Sequence, residues 1–171
     1  MRGSHASRPL ALFLAGAALL ALGVVWYTQH VLQIMPCELC LWERWPWRLL
    51  LGTAIVAAVL PDKVTRQLLW LTVPFMVADI GLSICHVGVE WQWWPSPLPA
   101  CHAPHISGHT MAERLASMPL LPSKPCDAAT YLVPGVPVSM AGMGGLYAAA
   151  VLWIFMVWRK KLERVTRRIF H

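Results

Sequence analysis

An uncharged stretch of the chain runs from Pro9 to Cys37 and reads PLALFLAGAALLALGVVWYTQHVLQIMPC. A hydrocarbon core about 30 Å thick needs roughly 20 apolar residues of helix, so the stretch predicts a first membrane span over about residues 10–28. A secretory signal is the alternative, but its apolar core would be only about 7 to 15 residues long. Because WYTQH follows at residues 26–30 in place of a small-residue cleavage site, we expect no cleavage.

The rest of the chain is also strongly apolar. Of its 171 residues, 57% are hydrophobic and 13% are charged, about half the charged fraction of a typical soluble domain. Further apolar stretches predict spans over about residues 41–60, 68–87 and 140–158. We therefore predict an all-α membrane protein, a four-transmembrane-helix bundle that forms a single domain over residues 1–171.

Lys and Arg concentrate on one side of the predicted bundle. Ten of the 14 precede the first span, separate the second from the third, or follow the fourth: Arg2, Arg8, Lys63, Arg66, Arg159, Lys160, Lys161, Arg164, Arg167 and Arg168. The positive-inside rule then places both termini and the tail 159–171 in the cytoplasm, and the loops of about 29–40 and 88–138 outside. The excess of Lys and Arg reflects the membrane topology and attraction to anionic lipid, and we predict no nucleic-acid partner.

The outer loop 88–138 contains nine of the 14 prolines and cannot be one continuous helix. One piece of it is predicted to be helical, because Thr110 and Glu113 match a capping box and apolar residues recur at helical spacing from Met111 to Met118. The pattern predicts a short amphipathic helix on the membrane surface. A single ordinary turn inside the loop is the alternative.

Four of the five cysteines fall in the outer loops, Cys37 and Cys40 in the first and Cys101 and Cys126 in the second. Free thiols do not persist in an oxidising compartment, so the economical interpretation is two disulfides, one per loop. The sequence leaves three pairings of these four cysteines open. Cys85, inside the third span, is interpreted as a small buried hydrophobic residue.

The first pair lies in Pro36-Cys-Glu-Leu-Cys40. A bridge between residues three apart closes almost no loop and adds little stability, which favours a redox role over a structural one. Pro36 at the first helical position would set both cysteines in the first turn, where the helix dipole favours a thiolate. Arg44, four residues after Cys40, adds a positive charge on the same face. The pair therefore predicts electron transfer at a membrane surface.

These residues resemble the disulfide bond formation protein DsbB family, thiol oxidases of the bacterial inner membrane. PCELCLWER at residues 36–44 is similar to the family hallmark Pro-Cys-x-x-Cys-x-x-Glu-Arg, and WYTQH precedes it as in the family. PSPLPAC at residues 95–101, His86 at the end of the third span and Cys126 before the last helix also match. The resemblance covers nearly the whole chain.

The resemblance implies a membrane thiol:quinone oxidoreductase with both redox loops in the periplasm. A reduced, DsbA-like thioredoxin-fold oxidase would attack the loop disulfide at Cys101 and release Cys126. Cys126 would then attack Cys37 and free Cys40, and two electrons would pass to the membrane quinone pool.

The same resemblance implies ubiquinone or menaquinone as the cofactor, bound beside Cys40. Arg44 is the predicted contact for the quinone's polar oxygen, and His86 is a second candidate at similar depth. Asp79 lies in mid-span, where a carboxylate costs about 2.5 to 3.5 kcal/mol. We expect it to bond a Ser or Thr or to pair with Arg48, in preference to handling protons.

Two other functions stay open. A quinone reductase of the vitamin K epoxide reductase type shares the layout but has its redox pair late in the chain, whereas here the pair precedes the second span. A metal-binding or transport protein could use Cys and His at the outer face. The loop residues Cys101, His102, His105 and His109 do not follow a defined zinc spacing, so we predict no metal site.

Overall fold

The computed structural model of the chain describes residues 7–101, 110–117, 124–132 and 135–170. Throughout these residues the regular structure is helical, which confirms the all-α prediction. The helices are α1 (Arg8–His30), α2 (Glu38–Val59), α3 (Asp62–Glu90), the short α4 (Met111–Ala116) and α5 (Met140–Phe170). A single 3₁₀ turn, Pro99–Cys101, lies between α3 and α4.

Among the described residues, three helices are long and apolar enough to cross a membrane: α1, α3 and the part of α5 from Met140 to Arg164. The membrane character of the protein is therefore confirmed. Helix α2 does not meet this criterion, because its first half carries Glu38, Glu43, Arg44 and Arg48. A fourth crossing by α2 stays a prediction.

Two helices extend beyond their predicted limits. Helix α3 begins at Asp62, not at residue 68, with Pro61 as its N-cap and the acidic side chain of Asp62 at the positive end of the helix dipole. Helix α5 continues from the predicted end at 158 to Phe170, so most of the predicted tail is helical. An ion pair between Arg159 and Glu163, 2.6 Å from Nη2 to Oε1, supports this extension.

The helix ends that carry most of the basic residues and the clustered cysteines lie at opposite ends of the bundle. At one end, the Ser7 backbone N–H donates to Asp62 Oδ1 at 3.0 Å and joins the start of α1 to the start of α3. Arg159 of α5 stacks over the Trp70 ring of α3 near the same end, 3.5 Å from the ring centroid. Cys37 and Cys101 pack together at the other end. This separation is what the charge distribution predicts for a positive-inside protein.

Small side chains allow the helices to pack closely in the centre of the bundle. Ala11 and Ala18 of α1 and Ala54 of α2 have no exposed surface, as is typical of interfaces between membrane helices. Phe155 of α5 is also fully buried in this core. Tyr147 of α5 donates a hydrogen bond to the Ala17 carbonyl of α1 at 3.0 Å.

The predicted capping box in the outer loop is confirmed. The Glu113 backbone N–H donates to Thr110 Oγ1 at 3.2 Å, and the Thr110 N–H donates to a Glu113 carboxylate oxygen at 3.1 Å. Both Met111 and Leu115 are exposed, at 76% and 60%, whereas Met118 lies outside the described residues. The exposed pair suits a surface helix, and contact with the membrane stays a prediction.

We predict that Phe155→Ala lowers the free energy of unfolding by about 3 to 5 kcal/mol, because it leaves a cavity in the bundle core. Trp153→Ala, two residues away on the same helix and 69% exposed, should lower it by less than about 1 kcal/mol. Denaturant unfolding of the purified variants in one detergent measures both. Equal losses for the two variants would contradict the assignment of Phe155 to the core.

Candidate functional site

The segment between α1 and α2 places Cys37 at the N-cap of α2. Its backbone is extended, with φ −82° and ψ 170°, and its Sγ accepts a hydrogen bond from the Cys40 N–H at 3.3 Å. Pro36 was expected at the first helical position, but the helix begins at Glu38 because the Cys37 side chain provides the cap. The Cys40 thiol therefore lies in the first turn of the helix, and the Cys37 thiol lies just before it.

The two thiols face each other without a bond. Their Sγ atoms are 2.7 Å apart, longer than the roughly 2.05 Å of a disulfide, and both cysteines are free. No Cys37–Cys40 bond is formed in this structure, and the disulfide expected for this pair stays a prediction. A hydrogen bond from the Cys40 thiol lowers the pKa of Cys37, against a smaller opposing effect of burial.

His86 of α3 completes the group from the opposite side. The side chain is buried, with Nδ1 3.0 Å from Glu43 Oε1 and Nε2 3.4 Å from Cys37 Sγ. Glu90, one turn further along α3, has its Oε1 at 3.9 Å from the same Nε2. The sequence prediction for His86 was a quinone contact, whereas in this structure both ring nitrogens face protein groups.

Sequence reasoning did not assign a role to Glu43 or Glu90. Helical spacing in the sequence could have identified both residues. Glu43 follows Cys40 by three residues and so shares a face of α2 with it, and Glu90 follows His86 by four and shares a face of α3. What the sequence did not show is that these two faces meet.

Arg44 lies next to the dithiol on α2 and has an incomplete set of partners. Its Nη1 donates to Gln29 Oε1 at 2.8 Å, so the WYTQH segment of α1 positions the guanidinium. The Nε atom is buried and has no hydrogen-bond partner. A ligand atom that accepts a hydrogen bond from Nε would stabilise this side chain, because leaving a buried donor unpaired costs about 1 to 3 kcal/mol.

A cavity of about 290 Å³ opens beside these residues. Its apolar wall includes Leu20, Val24, Ile34, Met35, Met140 and Tyr147, and its polar groups include Cys40, Arg44, Asp79, His86 and Lys124. The volume is close to the lower limit of typical ligand pockets, about 300 Å³. Apolar walls and the unpaired Arg44 donor fit the head group of a quinone, which is an apolar ring with polar oxygens.

Asp79 lines the same cavity and is 2% exposed. The expected pairing with Arg48 is absent, since the Arg48 guanidinium lies over the Trp45 ring at 5.4 Å. The expected Ser or Thr partner is also absent: Oδ1 has no hydrogen-bond partner, and the interaction found for the carboxyl group is with the Trp47 side chain.

The second cysteine pair forms the predicted disulfide. Cys101 and Cys126 are bonded, with their Cα atoms 5.0 Å apart, and the Cys126 N–H donates to the Cys101 carbonyl at 3.3 Å. Both residues are buried in one apolar cluster with Cys37 and Val89. The structure therefore brings the two cysteine pairs together, while the histidines expected near Cys101, at 102, 105 and 109, lie outside the described residues.

Cys85 does not belong to this group. Its thiol is free, and its carbonyl accepts a hydrogen bond from the Trp94 indole at 3.2 Å. The indole lies directly over Gly88, so that a Cβ at this glycine would collide with the ring. Cys85 therefore serves as a natural control for experiments on the four clustered cysteines.

We predict that Cys40→Ala raises the pKa of Cys37, because the thiolate loses the hydrogen bond that stabilises it. The rate of Cys37 alkylation by iodoacetamide, followed by mass spectrometry across a pH series, should then show a higher midpoint. Cys85→Ser should leave the midpoint unchanged. An unchanged midpoint in Cys40→Ala would show that Cys40 does not stabilise the Cys37 thiolate.

Comparisons with known proteins show which family the chain resembles. A family model described as disulfide bond formation protein DsbB matches residues 7–158. A disulfide bond formation protein B of Pasteurella multocida (strain Pm70) is 26% identical over 168 residues, 92% of this chain and 90% of that protein. The Escherichia coli (strain K12) protein is 33% identical over 88 residues, 50% of this chain and 47% of that protein. No solved structure matches the chain.

Proposed function

Because the chain belongs to the DsbB family of disulfide bond formation proteins, we propose that it is a thiol:quinone oxidoreductase that reoxidises a periplasmic DsbA-like protein. The observation that carries this proposal is the packing of two cysteine pairs in one cluster beside an apolar cavity. One pair can exchange with a soluble protein, and the other lies where a membrane quinone can accept electrons.

The proposed relay has two disulfide exchanges. A thiolate of the reduced partner attacks Cys101, which breaks the Cys101–Cys126 bond and forms a mixed disulfide. The partner's second thiol then closes its own disulfide and releases Cys101. The freed Cys126 thiolate attacks the oxidised Cys37–Cys40 pair at Cys37, the cluster neighbour of both loop cysteines, and Cys101 displaces Cys37 to restore the loop bond.

The relay leaves Cys37 and Cys40 as a dithiol. A quinone bound in the cavity would supply the oxidising power, because it can accept the two electrons and two protons that are released as the Cys37–Cys40 disulfide re-forms. Cys40 and Arg44 both line the cavity, and we assign Arg44 Nε the role of donor to a quinone oxygen. Ubiquinone and menaquinone both suit these groups.

In the proposed mechanism, His86 accepts the proton of the Cys37 thiol, and Glu43 orients the imidazole. Nε2 of His86 faces Cys37 Sγ while Nδ1 is held by the Glu43 carboxylate, an arrangement that orients an imidazole as a base. The thiolate is the reactive form in exchange. His86 would therefore accept the proton each time Cys37 has to react.

The proposed location is the bacterial inner membrane, with both termini in the cytoplasm and the cysteine end in the periplasm. Separation of the basic end from the cysteine end supports this orientation. We also propose that α2 is the fourth crossing. Its apolar half packs through Leu50 and Ala54 into the core that α1 and α3 share, and Glu43 and Arg44 face the cavity.

Purified protein, mixed with a reduced DsbA-like protein and a soluble ubiquinone analogue, should reduce the quinone. The reaction is followed as a loss of quinone absorbance. Cys40→Ser should abolish this activity, because no disulfide can re-form between residues 37 and 40. Cys101→Ala should keep an oxidised Cys37–Cys40 pair yet fail to oxidise the partner.

Cys85→Ser serves as the control and should retain full turnover. Quinone reduction by Cys40→Ser at the normal rate would contradict the role of Cys40, and partner oxidation by Cys101→Ala would contradict the relay order. A metal-binding or transport protein, the alternative function, would show no quinone reduction with the unaltered chain.

We predict that Arg44→Gln raises the KM for quinone by about 10- to 100-fold, the equivalent of one charge-assisted hydrogen bond of roughly 1.5 to 3 kcal/mol. Steady-state kinetics at varied quinone and saturating partner measures this. Arg48→Gln is the matched control, because that exposed guanidinium stacks on Trp45 outside the cavity. An equal change in KM for both variants would rule out a specific contact from Arg44.

A further inference from the structure

The reduced dithiol and His86 form a cluster of potential metal ligands. The Cys37 and Cys40 sulfurs and one ring nitrogen of His86 all lie within 4.8 Å of one another. Two sulfurs and an imidazole are ligands that Zn²⁺ and Cd²⁺ prefer. Sequence spacing did not indicate this group, because His86 is 46 positions after Cys40 and follows no zinc spacing.

The surroundings of His86 resemble those of a histidine that binds a metal. Glu43 Oε1 lies 3.0 Å from Nδ1, and a carboxylate in this position holds the proton on Nδ1 and leaves the Nε2 lone pair free. Histidine ligands of zinc commonly have such a carboxylate behind them. Here Nε2 faces Cys37 Sγ at 3.4 Å, so the lone pair points toward the dithiol.

Glu90 provides a fourth potential ligand and an independent observation. Its side chain is only 3% exposed, with Oε1 3.9 Å from His86 Nε2. Its second carboxylate oxygen, Oε2, is buried without a hydrogen-bond partner. A buried carboxylate oxygen without a partner is costly, and a cation between Glu90 and the thiols would remove that cost.

We propose that the reduced Cys37–Cys40 pair, His86 and Glu90 form a redox-gated site for a thiophilic divalent cation, Zn²⁺ or Cd²⁺. Binding replaces two thiol protons: Zn²⁺ joins the two sulfurs, and two H⁺ are released. The disulfide form cannot bind in this way, because its sulfurs carry no proton to replace and are bonded to each other. A bound cation therefore holds the pair reduced.

The distances require one local adjustment. Tetrahedral zinc with bonds of about 2.3 Å to sulfur and 2.0 Å to nitrogen places two sulfurs roughly 3.8 Å apart and sulfur roughly 3.5 Å from nitrogen. The Cys37–His86 separation of 3.4 Å already matches. The two sulfurs, at 2.7 Å, have to separate by about 1 Å, which a rotation of the half-buried Cys40 side chain provides.

The cavity gives the cation access and a mixed electrostatic environment. All four ligands line it, together with the acidic residues Glu43 and Asp79 and the basic residues Arg44 and Lys124. Two thiolates, a neutral imidazole, the Glu90 carboxylate and Zn²⁺ sum to a charge of −1, and the cationic side chains of Arg44 and Lys124 line the same cavity. A site with this small net charge is less costly to bury than two separate thiolates beside a carboxylate.

The test uses the full chain with Cys85→Ser, Cys101→Ser and Cys126→Ser, so that residues 37 and 40 carry its only thiols. Equilibrium dialysis against Zn²⁺, followed by metal analysis, should give one zinc per chain in the reduced form and none after oxidation to the disulfide. This measurement needs neither quinone nor partner, so its outcome is independent of the proposed thiol oxidase activity.

Three variants in this background separate the site from ordinary chelation by two thiols. His86→Ala should weaken zinc binding by about 100-fold, and Glu43→Gln, which removes only the carboxylate behind the imidazole, by about 10-fold. His30→Ala is the control, because His30 is exposed and its ring contacts Trp26, away from the dithiol. Equal affinity in His86→Ala and the parent would overturn the proposal.

X-ray absorption of the zinc-loaded parent provides a second readout that does not depend on how the variants fold. Two sulfur neighbours and at least one nitrogen from imidazole are expected around the metal. A shell of sulfur alone, or of sulfur with water and no imidazole, would overturn the assignment of His86 as a ligand.

Discussion

The hydrogen bond between His86 Nδ1 and Glu43 Oε1 joins α3 to α2 at the depth of the dithiol. Because it occupies one ring nitrogen, it directs the other toward Cys37. The same contact places α2 so that Cys40 and Arg44 face the cavity while Gln29 of α1 reaches the guanidinium. Without it, His86 Nδ1 and the Glu43 carboxylate would lose the hydrogen bond that joins them, and leaving a buried polar group unpaired costs about 1 to 3 kcal/mol.

The charged first half of α2 follows from this arrangement. A helix that supplies the Glu43 carboxylate to His86 and the Arg44 guanidinium to the cavity cannot be as apolar as its neighbours. For this reason, among the long helices of the described residues, α2 alone carries too many charges to count as a candidate membrane span. Glu43 and Arg44 are tolerated because they face the bundle interior, where partners and a cavity are available, in place of lipid. The apolar second half packs through Leu50 and Ala54 into the same core as α1.

Local sequence patterns predicted a large part of the fold. Helix positions, the capping box at Thr110 and the separation of basic residues from cysteines all depend on neighbouring residues or on composition, and the structure agrees with them. The site was predicted only in part. His86 contacts Cys37 across 49 positions of sequence, and Asp79 has Trp47 in place of the expected Arg48. Such contacts depend on how helices rotate against one another, which periodicity does not determine in helices that are apolar on most faces.

The loop disulfide is buried, and this burial constrains the proposed exchange with a soluble protein. Cys101 and Cys126 are 3% and 1% exposed, and a thiolate has to approach a disulfide sulfur directly to attack it. In the proposed relay, the loop disulfide would therefore have to leave its apolar cluster before a partner could react, and Cys126 would have to return before it could reach Cys37. Burial in the cluster shields the loop disulfide from water and external thiols. Access to Cys37 would thus be coupled to the redox state of the loop, because only a loop that has already accepted electrons presents Cys126 as a nucleophile.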